Sequence, residues 1–221
     1  MDLLEQHEIF EMEVLERLKS ARLLESLVFG GGTMLRLCHE LPRYSVDLDF
    51  WKLKTIEDRH LLERLQNVLT KSYEITEAQL KHYALLLELR STRFPRRLKI
   101  EIRRNVQDWE FEDVIAFSRF TTKQVLVRAH TLTQTMKNKI EALINRGAIR
   151  DAFDIEFLLR KGVSLPTLTD GQIKQLQAQL NKFKPNDFKV TLGSVLETEW
   201  REYYIRNGFR FLQNALKSLQ S

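Results

Sequence analysis

Cysteine is almost absent. Cys38 is the only one in 221 residues, so no internal disulfide framework staples this chain. Its core must come from apolar packing, and the expected location is the cytoplasm. Long hydrophobic runs are missing too. The apolar stretch near the N-terminus is broken by Glu25 and a run of glycines, well short of the roughly 18 residues that a spanning helix needs. No signal-peptide pattern is visible, and no membrane partner is expected. With 8 glycines and 4 prolines there is no Gly/Ser linker and no low-complexity tract, and no internal repeat is visible. What is there is ordinary globular material, 43% hydrophobic and 29% charged, which excludes a disordered chain. The length fits one large domain or a domain with a helical appendage, at about 150 residues per domain.

The formal net charge of +5 hides a strong asymmetry. Residues 1–27 carry seven acids against three bases, whereas residues 88–104 carry seven bases against two acids. The basic block is Arg90, Arg93, Arg96, Arg97, Lys99, Arg103 and Arg104. Such a cluster attracts polyphosphate or a nucleic-acid backbone, or else is a solvated strand face.

The period of the apolar residues divides the chain in two. Phe10, Val14 and Leu18 recur at helical spacing, and Leu61 to Leu69 reads as a further helix. Leu27 to Phe29, Ser45 to Trp51, Tyr83 to Leu89, Leu98 to Ile102 and Val125 to Val127 are short and branched, as strands of a mixed sheet are. From Thr133 onward the pattern is helical: Met136 to Asn145, Arg150 to Arg160, Gly171 to Lys182 and one long segment from Val195 to Leu219. The expected fold class is α+β, with a sheet domain over residues 1–130 and a helical domain over residues 131–221.

Three consecutive glycines, Gly30, Gly31 and Gly32, follow the first strand, and Thr33 is placed to cap the next helix. A turn of this kind lets backbone amides approach an anion, and it also serves as a plain strand-to-helix corner. Asp47 and Asp49 follow, separated by Leu48. In a strand, residues two apart share a face, so both carboxylates project together, about 7 Å apart at the backbone, while Val46, Leu48 and Phe50 turn to the core. Two like charges so placed call for solvent, a shared proton or a hard divalent cation, and magnesium suits them best. The five histidines show no ligand spacing, and zinc has no Cys/His set here.

The combination of Gly31-Gly32-Thr33 with Arg43-x-Ser45-x-Asp47-Leu48-Asp49-Phe50 resembles the signature of the nucleotidyltransferase superfamily. In this form it is similar to the AbiEii/AbiGii toxin family of type IV toxin–antitoxin systems. Lys139-Ile140-Glu141 followed by Arg150-Asp151-Ala152-Phe153-Asp154 resembles the later motif of that family. The resemblance implies a nucleotidyltransferase-like mixed β-sheet with flanking helices and a C-terminal helical bundle. It implies Asp47, Asp49, Lys139 and Asp151 as catalytic residues, and Gly31, Gly32, Thr33, Arg43, Ser45 and Asp154 as nucleotide-binding ones. Two magnesium ions on Asp47 and Asp49 are expected, with Glu101 a candidate third ligand or a surface partner of a neighbouring arginine. Lys139 borders an apolar stripe and either reaches solvent or meets an anion, and Asp151 otherwise caps its helix or pairs with Arg146 or Arg150.

The activity so implied is transfer of a nucleotidyl group from a nucleoside triphosphate to an RNA hydroxyl, the acceptor end of tRNA. A cognate antitoxin protein is the implied partner. The rival readings are nucleotidylation of a protein hydroxyl, a non-catalytic RNA- or partner-binding module on the same fold, and a metal-dependent nuclease.

Overall fold

A computed structural model describes residues 2–219. The chain divides into two compact units. One contains the residues up to Glu40 together with Tyr44–Thr131, and the other contains Leu41–Arg43 together with the chain from Leu132 onward.

The first unit opens with helix α1 (Leu3–Ser20), started by a capping box between Asp2 and Glu5. Strand β1 (Leu27–Gly30) runs straight into α2 (Gly31–His39), and β2 (Asp47–Lys52) and α3 (Asp58–Leu69) follow. The remaining strands are β3 (Glu74–Leu80), β4 (Ala84–Arg90), β5 (Leu98–Val106), β6 (Phe111–Phe117) and β7 (Gln124–His130). They form one mixed sheet in the order β3-β4-β5-β2-β1-β7-β6. The parallel pairs are β1 with β7 and β2 with β5, and every other pair is antiparallel. Strands β3 and β6, at the two edges, have no counterpart in the alternation of the sequence.

Alternation places Leu48, Phe50, Leu85, Leu87, Leu89, Leu98, Ile100 and Ile102 on one sheet face, each at most 1% exposed. The apolar stripe of α1, with Phe10, Val14, Leu15 and Leu18, is equally buried, and α1 packs against β7 and β5. At roughly 1.5–3 kcal/mol per fully buried large apolar side chain, this face is what commits the chain to its register.

The second unit is helical: α4 (Leu132–Arg146), α5 (Ile149–Arg160), α6 (Asp170–Lys182), a π-helical turn (Asp187–Leu192), α7 (Thr198–Asn207) and α8 (Arg210–Ser218). Helix α5 is buried almost all round and ties the others together. Glu156, fully buried, accepts from Arg160, from the Tyr204 hydroxyl and from the Leu212 amide, so one carboxylate links α5 to α7 and α8. The single helix expected over residues 195–219 is in fact two. Gly208 takes a positive φ of 53° between α7 and α8, a conformation that ends a helix.

Leu41–Arg43 belongs to this unit although the expected domain boundary placed it with the sheet. Arg43 forms an isolated antiparallel bridge with Leu196, and the Glu197 amide donates to the Pro42 carbonyl at 3.1 Å.

Candidate active site

The acid strand behaves as alternation requires. Along β2 the residues are in turn half-buried and buried, so Asp47, Asp49 and Trp51 share one face and Leu48, Phe50 and Lys52 the other. Gly30 is the register partner of Asp49 across the β1–β2 pair, and this brings the glycine turn onto the acids. Gly31 has φ +74°, and a Cβ built there would lie 2.2 Å from Asp49 Oδ2. Only glycine permits both that backbone and that approach. Gly30 is equally pressed, since a Cβ would meet the Trp51 ring at 2.5 Å and the His130 ring at 2.8 Å.

Helix α2 begins at Gly31, with Gly30 as its N-cap and no side-chain cap. Its first amides and the positive end of its dipole are therefore directed at this corner. Thr33 is not the cap that its position in the sequence suggested. It lies inside the first turn, 1% exposed, and its Oγ1 donates to the Asp47 carbonyl at 2.6 Å. Ser45 lies in the segment leading into β2 and is half-buried.

Strand β5 runs beside the acid strand in parallel register, with Asp47 opposite Lys99 and Asp49 opposite Glu101. The Glu101 carboxylate accepts from Lys99 at 2.9 Å and pairs with Arg103 at 3.0 Å. Burial pushes its carboxyl up, but the Lys99 hydrogen bond and the charges of Arg103 and Lys99 outweigh this and hold it below the ordinary carboxylate range. Among the described residues, no group of three or more His, Cys, Asp or Glu side chains is gathered to hold a metal ion. Glu101 thus lies on the correct face but is engaged with its basic neighbours rather than joined with Asp47 and Asp49 into a three-acid cluster.

The remaining expected site residues converge within the second unit. Arg43, 2% exposed, forks onto Asp154, with Nε to Oδ1 at 2.7 Å and Nη2 to Oδ2 at 2.6 Å. Lys139 Nζ reaches Asp154 Oδ2 at 2.7 Å and Asp151 Oδ1 at 3.2 Å. Arg146 holds Asp151 through two bonds of 2.7 Å. Both aspartates are 0% exposed. Burial pushes the Asp154 carboxyl up, and the Arg43 and Lys139 cations reverse this and keep it below the ordinary range. Lys139 is thus held by two buried carboxylates of α5 rather than reaching solvent, and Asp151 pairs with Arg146 rather than Arg150.

Much of the basic stretch from the end of β4 through β5 is engaged in pairs: Arg90 with Glu74, Arg93 with Glu13, Arg97 with Glu88, and Arg104 with Asp58. Arg103 and Lys99 share Glu101. Exposed pairs of this kind contribute about 0–1 kcal/mol each.

The sequence matches the model of the nucleotidyl transferase AbiEii toxin family, type IV toxin–antitoxin system, over residues 13–212. The chain belongs to that family. No curated protein matches it. Among solved structures, it is similar to MenT4, a nucleotidyltransferase toxin from Mycobacterium tuberculosis, at 15% identity and TM-score 0.59, covering 97% of this chain and 92% of that one. It is also similar to JHP933 from Helicobacter pylori, at 19% identity and TM-score 0.55, covering 96% and 94%. At such identities these likenesses establish the shared fold, and the family assignment rests on the sequence match. Membership of an AbiEii toxin family implies an antitoxin partner. Among the described residues no helix is long and apolar enough to cross a membrane.

Proposed function

We propose that this AbiEii family member transfers a nucleotidyl group from a nucleoside triphosphate to a hydroxyl at the acceptor end of tRNA. The observation that carries the reading is the placement of Asp47 and Asp49 on one face of β2, with Asp49 against Gly31. In the reaction the RNA hydroxyl oxygen attacks the α-phosphorus. The bond from that phosphorus to the β-phosphate oxygen breaks, pyrophosphate leaves, and the hydroxyl proton is released.

The donor chemistry of the pair suits magnesium, which takes one or two carboxylates and completes its shell with water and phosphate oxygens. Asp47 and Asp49 would hold it, with Glu101 outside the set. A bound magnesium ion supplies Lewis acidity toward the phosphate oxygens and lowers the pKa of an attacking hydroxyl. The amides of Gly31 and Gly32 at the α2 terminus bind the phosphates. Arg43, Lys139, Asp151 and Asp154 form one pre-arranged cluster of the second unit, in which the two aspartates fix the direction of the two cations, and their match to the family's motifs assigns them to the same reaction. Ser45 adds a hydroxyl in the segment that leads into the acid strand. The surface pairs of Arg90, Arg97 and Arg103 exchange carboxylate for RNA phosphate at little cost.

The test is to incubate the purified chain and magnesium with each triphosphate, labelled at the α-phosphate, together with cellular RNA and protein. Label on RNA ends that grow by whole nucleotides is the expected result. Label confined to protein would replace the acceptor with a protein hydroxyl, and RNA that shortens would replace transfer with cleavage.

A further inference from the structure

Three titratable side chains lie buried on the apolar stripe of α1: His7, Glu8 and Glu11, exposed by 1%, 4% and 1%. Glu8 is accounted for by Arg36, whose Nε donates to it at 2.9 Å. Glu11 has no such cation bond, and its Oε1 is buried without a hydrogen-bond partner. The nearest basic nitrogen, His7 Nε2, is 3.7 Å away and is directed at the Val46 carbonyl at 2.9 Å.

Glu11 does hydrogen-bond the Thr33 side chain. Thr33 gives its hydroxyl proton to the Asp47 carbonyl at 2.6 Å. A hydroxyl carries one proton, so while Thr33 gives it to the Asp47 carbonyl, a bond between Thr33 and Glu11 requires the proton of a Glu11 carboxyl. Burial first, then the charges of Glu8 and Asp47, push that carboxyl well above its ordinary range, against the opposing Arg36 charge and Thr33 contact.

These bonds end on two consecutive carbonyls. The Val46 carbonyl belongs to the peptide plane before the Asp47 Cα, and the Asp47 carbonyl to the plane after it. Each plane is rigid, so fixing both fixes the two torsions at Asp47 and with them the direction of its side chain. We propose that Glu11, Thr33 and His7 are positioning residues, which anchor the backbone on either side of Asp47 and thereby aim the acid pair. This rests on the nucleotidyltransfer reading of that pair. None of the three touches the reacting atoms. Thr33 and Glu11 act in series, and His7 acts in parallel with them.

The test compares Glu11→Gln and Thr33→Ser, which keep the donors, with Glu11→Met and Thr33→Val, which remove them at similar volume. Binding of Mn2+ by paramagnetic resonance is read beside kcat and KM for the triphosphate, with circular dichroism to verify folding. Glu11→Gln is expected to match the unaltered protein, and Thr33→Ser, which keeps the hydroxyl, to retain Mn2+ binding. The other two should bind Mn2+ about 10–100-fold more weakly and lose kcat in proportion, as displaced outer-shell partners do, with KM little moved. If folded Thr33→Val and Glu11→Met bind and turn over normally, the proposal falls. Should Glu11→Met not fold, Thr33→Val decides alone. A Glu11→Gln protein as damaged as Glu11→Met would mean that Glu11 acts through its charge, which also overturns it. If the unaltered protein binds no Mn2+ and turns over no triphosphate, the nucleotidyltransfer reading itself fails.

Discussion

Two aspartate pairs, Asp47 with Asp49 and Asp151 with Asp154, are brought together by opposite periodicities. Spacing of two on a strand and of three on a helix each put the carboxylates on one side of the element. Their surroundings then diverge. Asp151 and Asp154 are 0% exposed and receive Arg43, Lys139 and Arg146 in close geometry. Asp47 and Asp49 are half-buried on a sheet face. A fully buried carboxylate must be matched by the protein itself, because an unmatched ion costs several kcal/mol. A half-buried pair keeps part of its contact with solvent and is under less of that demand. The same residue type is therefore matched by the protein's own cations in one unit and, on the proposed reading, reactive in the other.

The largest expected effect lies on the reactive side. Asp49→Asn keeps the size of the side chain and its place against Gly31 but lowers the charge available to a metal ion. Loss of about 4 kcal/mol of transition-state stabilisation corresponds to roughly a 10³-fold drop in turnover, whereas denaturant unfolding should shift by less than about 1 kcal/mol. A variant that lost its stability along with its activity would erase the distinction between the pairs. Asp154→Ala is the converse. It leaves Arg43 and Lys139 buried without their shared partner, and truncating one side of a buried ion pair costs about 3–5 kcal/mol, read as a lowered denaturant midpoint in the absence of any nucleotide.

The two pairs also differ in how much of them the sequence could display. Alternation around Leu48 and Phe50 is local, so the shared face of Asp47 and Asp49 was legible from six residues. The partner that sets the character of Asp154 is Arg43, 111 positions away, and no periodicity links them. The long elements α1, α3, α4 and α6 were legible because each buries one continuous stripe, and α5 because apolar residues lie almost all round it. Strands β3 and β6 were not, for a physical reason: both are sheet edges. Strand β3 is polar and has no fully buried residue, and β6 leaves Phe111, Ile115 and Phe117 at 43%, 52% and 40% exposure. His7 and Glu11 were missed although a signal existed, namely titratable residues on the stripe that also carries Phe10, Val14 and Leu18.

A third test separates backbone strain from crowding. Gly31 has φ +74° with Asp49 at its back, and Gly162 has φ +85° with nothing within 4 Å of a Cβ. Alanine at Gly162 meets only the left-handed backbone cost, about 1–2 kcal/mol. Alanine at Gly31 should meet that cost and also push the Asp49 carboxylate aside, lowering Mn2+ affinity as well as stability. Equal stability losses with Mn2+ binding intact would show that the close approach at Gly31 has no consequence for the acids.

The smallest effect expected is one of sign, and it sets Asp154 against Glu11. The Asp154 carboxyl is held below its ordinary value of 3.8 in the folded chain. Its stabilising contribution is therefore complete above that value and is lost as pH falls below it toward the folded value. Glu11 is raised above its ordinary 4.5, so the unfolded chain ionises there while the folded one keeps its proton, and stability declines as pH rises from 4.5 toward the folded value. Glu11→Gln removes that penalty without removing the donor. Measured by urea unfolding, its stability relative to the unaltered chain should rise with pH above 4.5 and level off once the folded Glu11 would ionise. Asp154→Asn should give a relative loss that shrinks below pH 3.8, as the unaltered chain itself takes up the proton. A stability difference for Glu11→Gln that stayed flat across this range would mean that Glu11 is ionised in the folded chain, and the two buried acids would then no longer be opposites.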